Sequence, residues 1–274
     1  MLTFPDIDPV IIRIGPIGIH WYGFMYLLGF GATYLLVRKQ ILEEGQKAFS
    51  EPQYHGPSIV SQLSQLDGIL FSLILGIILG GRLGYVIFYN LSYFLVHPLE
   101  IFAVWHGGMS FHGGVAGVIF SGWIYCKSHN LDFWKWSDRF VVTAPVGLGL
   151  GRIGNFINGE LFGRPADVPW AMIFPHGGQV PRHPSQLYEA LLEGLLLFMV
   201  LWSLRSKPWP YGRKLALFLV LYAICRIGVE FFREPDPQLG HVLWDCVTMG
   251  QLLSLVLLLL GIIIWCVRDR SVRV

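Results

Sequence analysis

An all-α, polytopic membrane helix bundle of about seven spans is the fold this sequence predicts, and three observations predict it. Hydrophobic residues make up 54% of the 274 and charged residues only 14%, against about 45–50% and about 25% in ordinary soluble domains. The uncharged runs approach the length a bilayer demands, since a core of about 30 Å needs about 20 apolar residues in helix. Ten Trp, eleven Tyr and nineteen Phe suit aromatic belts at the two interfaces. A net charge of +2 is too small to argue for nucleic acid, so no such partner is expected.

Taken in order, Ile14 to Val37 carries no Asp, Glu, Lys or Arg and is read as the first span. Met1 to Gly18 lacks the basic start and cleavage site of a signal peptide, so this span is expected to do its own targeting. The second span runs from about Gly68 to Asn90, interrupted by Arg82. The third, about Gly113 to Cys126, is short, although the uncharged stretch reaches back to Ile101. The fourth, Phe140 to Leu150, is shorter still. The fifth is about Gln186 to Leu204, and the sixth is Leu215 to Phe232 with Arg226 and Glu230 inside it. The seventh, Cys246 to Val267, is free of charge. Gln46 to Gln65, with Pro52 and Pro57, reads as a loop. Residues 164–184 hold five prolines and cannot be one helix. No internal repeat divides the chain, so 1–274 reads as one membrane domain.

Basic residues set the orientation. With the C-terminus cytoplasmic, one side holds Arg38, Lys39, Lys47, Lys127, Lys135, Arg139, Arg205, Lys207, Arg213, Lys214, Arg268, Arg270 and Arg273. The other holds Arg13, Arg152, Arg164, Arg182 and Arg233. An odd number of spans reproduces this bias. It places the N-terminus and loops of about 91–112, 151–185 and 233–245 on the outer side. Cys126, Cys225, Cys246 and Cys266 form no C-x-x-C pair and read as small hydrophobes.

Four constellations carry possible chemistry. Tyr222, Arg226, Glu230 and Arg233 follow at i, i+4, i+8 and i+11, one helix stripe. Charged groups at membrane depth face a bundle interior or a wet cavity. Either Arg226–Glu230 ties helices together, or two guanidiniums against one carboxylate leave the stripe net positive for an anion. Arg82, with Tyr85 and Tyr89, reads as structural or as a phosphate contact, while Gly76, Gly80 and Gly84 allow a neighbouring helix to approach closely. His112, inside Gly107-Gly108-Met109-Ser110-Phe111-His112-Gly113-Gly114, is either a satisfied polar group or a proton relay exposed by its glycines. Gly151 to Gly163 packs Arg152, Asn155, Asn158 and Glu160 into thirteen residues, more polarity than packing requires. Arginine's planar fork suits phosphate, and amides suit ester or glycerol oxygens. The expected ligand is a lipid anion, reached directly from the membrane. His20-Trp21-Tyr22-Gly23 and His183-Pro184-Ser185-Gln186-Leu187-Tyr188-Glu189 stay ambiguous between anchors and site residues.

Together and in chain order, His20-Trp21-Tyr22-Gly23, Gly107 to Gly114, Gly151 to Gly163, Arg182 to Glu189 and Arg226 to Arg233 resemble the motifs of the bacterial prolipoprotein diacylglyceryl transferases, over about Phe4 to Val267. The thirteen-residue motif is the most specific of them. The resemblance implies a single transmembrane catalytic domain in the bacterial inner membrane, with its site toward the outer face. The implied reaction moves the sn-1,2-diacylglyceryl group of phosphatidylglycerol to the thiol of the lipobox cysteine in a preprolipoprotein signal peptide. A thioether forms and glycerol 1-phosphate leaves. By the same resemblance His112 is the base for the thiol, and Arg152 and Arg226 bind the headgroup and stabilise the leaving phosphate. Tyr22, Asn155, Asn158, Glu160, Gly163, Tyr222, Glu230 and Arg233 match substrate-binding positions, with Glu230 orienting Arg226. No nucleotide, flavin or metal cofactor is implied. The competing reading is a phospholipid or anion transporter or flippase, against which stands the lack of an inverted repeat.

Overall fold

The computed structural model describes residues 2–5, 7–15, 17–49, 57–234, 241–243 and 247–270. The expected loop 233–245 falls largely outside them, as do Cys246, Pro52 and Arg273. Ten helices dominate the described residues. Helix α1 is Trp21–Phe49, α2 Ile59–Tyr89, α3 Leu91–Val96, α4 Phe111–Ser128, α5 Phe133–Val141 and α6 Ala144–Ile157. Then come α7 Ser185–Glu189, a π-helical turn Ala190–Leu196, α8 Leu197–Leu204, α9 Arg213–Glu230 and α10 Met249–Arg270.

The chain is a largely helical membrane protein. Ile59–Tyr89, Ser185–Leu204 and Met249–Asp269 are each long and apolar enough to cross a bilayer, and the bent pair α5–α6 makes a fourth if it counts as one span. Helix α9 falls short because it carries Arg213, Lys214, Arg226 and Glu230.

Several sequence boundaries move. The first span does not begin at Ile14. Val10–Ile14 (β1) and Ile17–His20 (β2) pair antiparallel, and the helix starts at Trp21. The β-branched run Val10-Ile11-Ile12 favours strand, and hydropathy alone does not separate a strand from a helix end. The Gln46–Gln65 stretch is not a loop throughout, since α1 continues to Phe49 and α2 starts at Ile59. The fourth span is two helices at 44°. Pro145 stands in the first turn of α6, where its missing N–H costs little but would interrupt a continuous helix. Helix α6 then runs through Arg152 and Asn155 to Ile157, so the polar motif starts on a helix rather than in the expected loop.

Two compact units are resolved, residues 1–37 with 137–274, and residues 38–136. In the first, Val142, Leu197 and Leu201 form a buried core against Leu217, Phe218, Leu221 and Tyr222. Gly149 and Gly194 face each other so closely that a Cβ on Gly194 would lie 2.7 Å from the Gly149 Cα. Leu2–Thr3 pairs in parallel with Met172–Ile173, and Phe4 packs on Phe156 and Phe174 at 5.3 and 5.2 Å. The irregular segment 164–184 is thereby tied to the end of α6.

In the second unit α2 and α4 pack along glycines, as the four-residue spacing predicts. A Cβ on Gly84 would lie 2.8 Å from the Gly113 Cα, and one on Gly80 would lie 2.8 Å from the Gly117 Cα. Gly113 therefore serves close packing of α4 on α2. Cys126, Cys225 and Cys266 are free thiols.

Candidate active site

Arg152, Arg226 and Arg233 converge on carboxylates carried by the helical run that starts at Ser185. Arg152 Nε lies 2.9 Å from Glu189 Oε2. Arg226 Nη1 donates to Glu189 Oε1, and Arg233 Nη1 reaches the same oxygen at 3.3 Å. Arg226 Nη2 also lies 3.0 Å from Glu230 Oε2, one turn along α9. Glu193 completes the set at longer range, 3.9 Å from Arg152 and 3.7 Å from Arg226. The Glu189 side chain is 0% exposed, whereas that of Arg152 keeps 20% and forms the most open edge of the set.

This arrangement corrects one expectation and completes another. Among the described residues the cluster balances three arginines with three glutamates, so it is formally neutral and not the net-positive stripe expected of α9. The expected Arg226–Glu230 pair is present, but Glu189 is the carboxylate that all three guanidiniums share. Glu230 is held from its other side by Thr248 Oγ1, which donates to Oε1 at 2.8 Å. Arg233 lies beyond the last turn of α9, and its carbonyl accepts from Arg164 Nε at 2.9 Å.

Sequence reasoning missed Glu193 and left Glu189 ambiguous. A signal was available: they are the two charged residues in Ser185–Leu204 and stand at i, i+4, so they share one helix face. The π-helical turn that begins after Glu189 and carries Glu193 is not visible in the residue pattern. Such turns occur often at functional sites.

The remaining motif residues gather beside this cluster on Glu160. Asn155 Nδ2 and Asn158 Nδ2 donate to Glu160 Oε1 at 2.8 and 3.2 Å. Gln186 Nε2 donates to the Glu160 carbonyl at 2.6 Å, and Ser185 Oγ to the Leu161 carbonyl at 3.0 Å. Leu161 sits at φ 58°, a conformation costly for a branched side chain and held here by those two bonds. Gly163 donates its N–H to the His183 carbonyl at 2.8 Å and accepts from Arg182 at 3.3 Å. A Cβ there would strike His183 and Phe232, so Gly163 permits a close crossing of chains. His183 stacks edge-on against Phe232 at 5.2 Å. Burial holds its imidazole below the usual histidine range, so it is neutral near pH 7.

Tyr22 lies on α1 against α6, where a Cβ on Gly154 would come 3.0 Å from its ring, and its hydroxyl meets that of Tyr26 at 3.1 Å. Tyr222 stands one turn before Arg226 and stacks on Phe218 at 5.8 Å.

His112 belongs to the other unit. Ser110 caps α4 by accepting from Gly113 N at 3.2 Å, which places His112 in the first turn, exposed and edge-on to Phe111 at 5.6 Å. Arg82 in the same unit is structural. Its guanidinium donates to the carbonyls of Ile101 (2.9 Å), Gly107 (2.5 Å), Gly108 (3.2 Å) and Glu100 (2.5 Å). Gly107 and Gly108 take φ of 80° and 76°, the left-handed region that glycine enters freely, and this turns both carbonyls toward Arg82.

A family model described as prolipoprotein diacylglyceryl transferase matches residues 9–267. A phosphatidylglycerol–prolipoprotein diacylglyceryl transferase of Desulfotalea psychrophila is 55% identical over 273 residues, covering 96% of this chain and 94% of that protein. Proteins of the same name from Pseudomonas aeruginosa and Legionella pneumophila are 48% and 47% identical over 275 and 265 residues. These cover 100% and 97% of this chain and 98% of each relative.

Proposed function

The chain belongs to the prolipoprotein diacylglyceryl transferase family, and from that premise we propose that its arginine–glutamate cluster receives the phosphate of the donor lipid. The enzyme transfers the diacylglyceryl group of phosphatidylglycerol to the cysteine thiol of a prolipoprotein. A carbon–sulfur bond forms at the sn-3 carbon of the diacylglyceryl group, the carbon–oxygen bond to phosphate breaks, and glycerol 1-phosphate departs with the electron pair.

The observation that carries the reading is the sharing of Glu189 by Arg152 and Arg226. One buried carboxylate holds two guanidinium forks in place while Arg152 keeps an open edge. Charge grows on the leaving phosphate as the bond breaks, and donors already oriented stabilise it without reorganising. Glu230, one turn along α9, pairs with Arg226, and Arg233, beyond the end of that helix, shares Glu189 with it. Asn155, Asn158 and Glu160 form a polar shelf suited to glycerol hydroxyls, with Tyr22 packed against Gly154 of the same motif and Tyr222 beside the arginine–glutamate cluster. Gly163 holds the shelf against His183. A free thiol has a pKa of about 8.5 and is a small fraction thiolate at neutral pH. Its proton is assigned to His112 on that residue's motif and exposure.

The wider arrangement in this reading is seven spans in the bacterial inner membrane, serving as one catalytic domain. The N-terminus and the site lie on the outer face, where the lipobox cysteine of a translocated signal peptide arrives. The test is the mass of a synthetic lipobox peptide incubated with purified protein and phosphatidylglycerol. Gain of one diacylglyceryl group, abolished when the peptide's cysteine becomes serine, is expected. An unchanged peptide mass with folded protein would contradict the reading.

A further inference from the structure

Glu193 is held less firmly than the other carboxylates described in the cluster. It projects from the π-helical turn Ala190–Leu196, 3.9 Å from Arg152 Nη2 and 3.7 Å from Arg226 Nη1. By contrast, Glu189 approaches Arg152 to 2.9 Å and Glu230 approaches Arg226 to 3.0 Å. Neither Glu193 oxygen receives a hydrogen bond, and the side chain is 1% exposed. A buried carboxylate without donors is costly unless opposite charge stands nearby. For Glu193 that charge comes chiefly from two guanidiniums it shares with other groups.

Those guanidiniums are the ones assigned above to the donor phosphate, so any role of Glu193 toward that phosphate rests on the same assignment. A phosphodiester brings one negative charge. Among the described residues, three arginines of the lipid-free cluster balance three glutamates, so an arriving phosphate leaves a buried negative excess. Neutralising one carboxylate removes it. Among the described residues, the charged and titratable groups facing Glu193 are Glu189 on its own helix, Arg152 from α6, Tyr222, Cys225 and Arg226 from α9, and Arg233 beyond it. Tyrosine and cysteine are ordinarily neutral at pH 7 and arginine is charged. The proton can therefore go to Glu189, which three guanidiniums hold, to Glu230, which Arg226 and Thr248 hold, or to Glu193, which receives no hydrogen bond.

We infer that Glu193 is a positioning residue that takes up a proton from solvent when a phosphatidylglycerol phosphate engages Arg152 and Arg226. The step is the addition of one proton to one carboxylate, with no other bond made or broken. It removes one carboxylate's charge from beside both guanidiniums and keeps the cluster neutral when the phosphate is bound. The proton returns to solvent when the anion leaves.

The experiment is calorimetric binding of phosphatidylglycerol to the full chain in detergent, repeated in buffers of different ionisation heat. The wild type should take up about one proton per lipid, with affinity falling about tenfold per unit rise in pH. Glu193→Gln imitates the protonated carboxyl and should bind with no proton uptake and a flat pH profile. Uptake in Glu193→Gln equal to that of the wild type would overturn the inference and leave the donor reading intact. Wild-type protein that does not bind phosphatidylglycerol would overturn the donor reading and this inference with it. Should Glu193→Gln not fold, infrared difference spectra of the wild type with a dialkyl-ether phosphatidylglycerol replace it. That lipid has no ester carbonyl, so a new carboxylic-acid band on binding supports proton uptake and its absence overturns it.

Discussion

Glu189 and Arg152 meet across two helices, Oε2 to Nε at 2.9 Å, with the carboxylate withdrawn completely from solvent. The second oxygen of that carboxylate takes Arg226 and Arg233. One side chain thus anchors guanidiniums from three places in the chain. Glu189→Gln should unfasten all three, at a stability cost of about 3–5 kcal/mol for a broken buried pair. Lowered thermal stability in detergent together with lost transfer is the expected outcome, and wild-type stability would show that Glu189 is not the anchor.

Gly194 and Gly149 set how closely the π-helical turn approaches α6. Gly194→Val places branched carbons where a Cβ alone would come 2.7 Å from the Gly149 Cα. Overpacking of this kind costs about 1–3 kcal/mol, and here it displaces the turn that carries Glu193. Transfer activity should fall more steeply than thermal stability, read on the same preparations.

Much of the fold and some of the candidate site's geometry were legible in the residues, and the exceptions have physical causes. Arg226 and Glu230 at i, i+4 announce their pair, and glycines every four residues on α2 announce the close helix crossing. The start of α1 is not readable from hydropathy, which responds equally to an isoleucine in a strand and in a helix, and the end of α6 is not, because the helix runs on through the polar Arg152 and Asn155. The cluster's charge balance also escaped, because Glu189 and Glu193 sit in an apolar run far in sequence from Arg152 and Arg226. Arg82 could not be assigned from its own surroundings in sequence, since its acceptors are backbone carbonyls 18 to 26 residues away.

Arg82→Lys tests the structural role of that residue. An ammonium has three donors on one atom and cannot reproduce a planar fork that serves four carbonyls. Loss of two such bonds predicts destabilisation of about 1–3 kcal/mol. Loosening of the turn before Ser110 should be visible as faster amide hydrogen exchange over residues 100–110, and exchange unchanged from wild type would remove Arg82 from that role.

His112→Gln tests the assignment of the thiol's proton. A general base contributes about 10²–10⁴-fold, so turnover should fall by that order across the whole pH range. Activity that survives with only a shifted pH profile would make His112 a residue that positions substrate, with the thiol ionised by the arginines' field.

The assignment of the donor phosphate to Arg152 and Arg226 is tested most directly by turnover of Arg152→Ala on phosphatidylglycerol and a lipobox peptide, with folding checked on the same sample. Removing a preorganised donor to a developing anion costs about 10²–10³-fold, and a loss of at least that size in kcat/KM is predicted. Near-normal turnover by a folded Arg152→Ala enzyme would contradict the assignment.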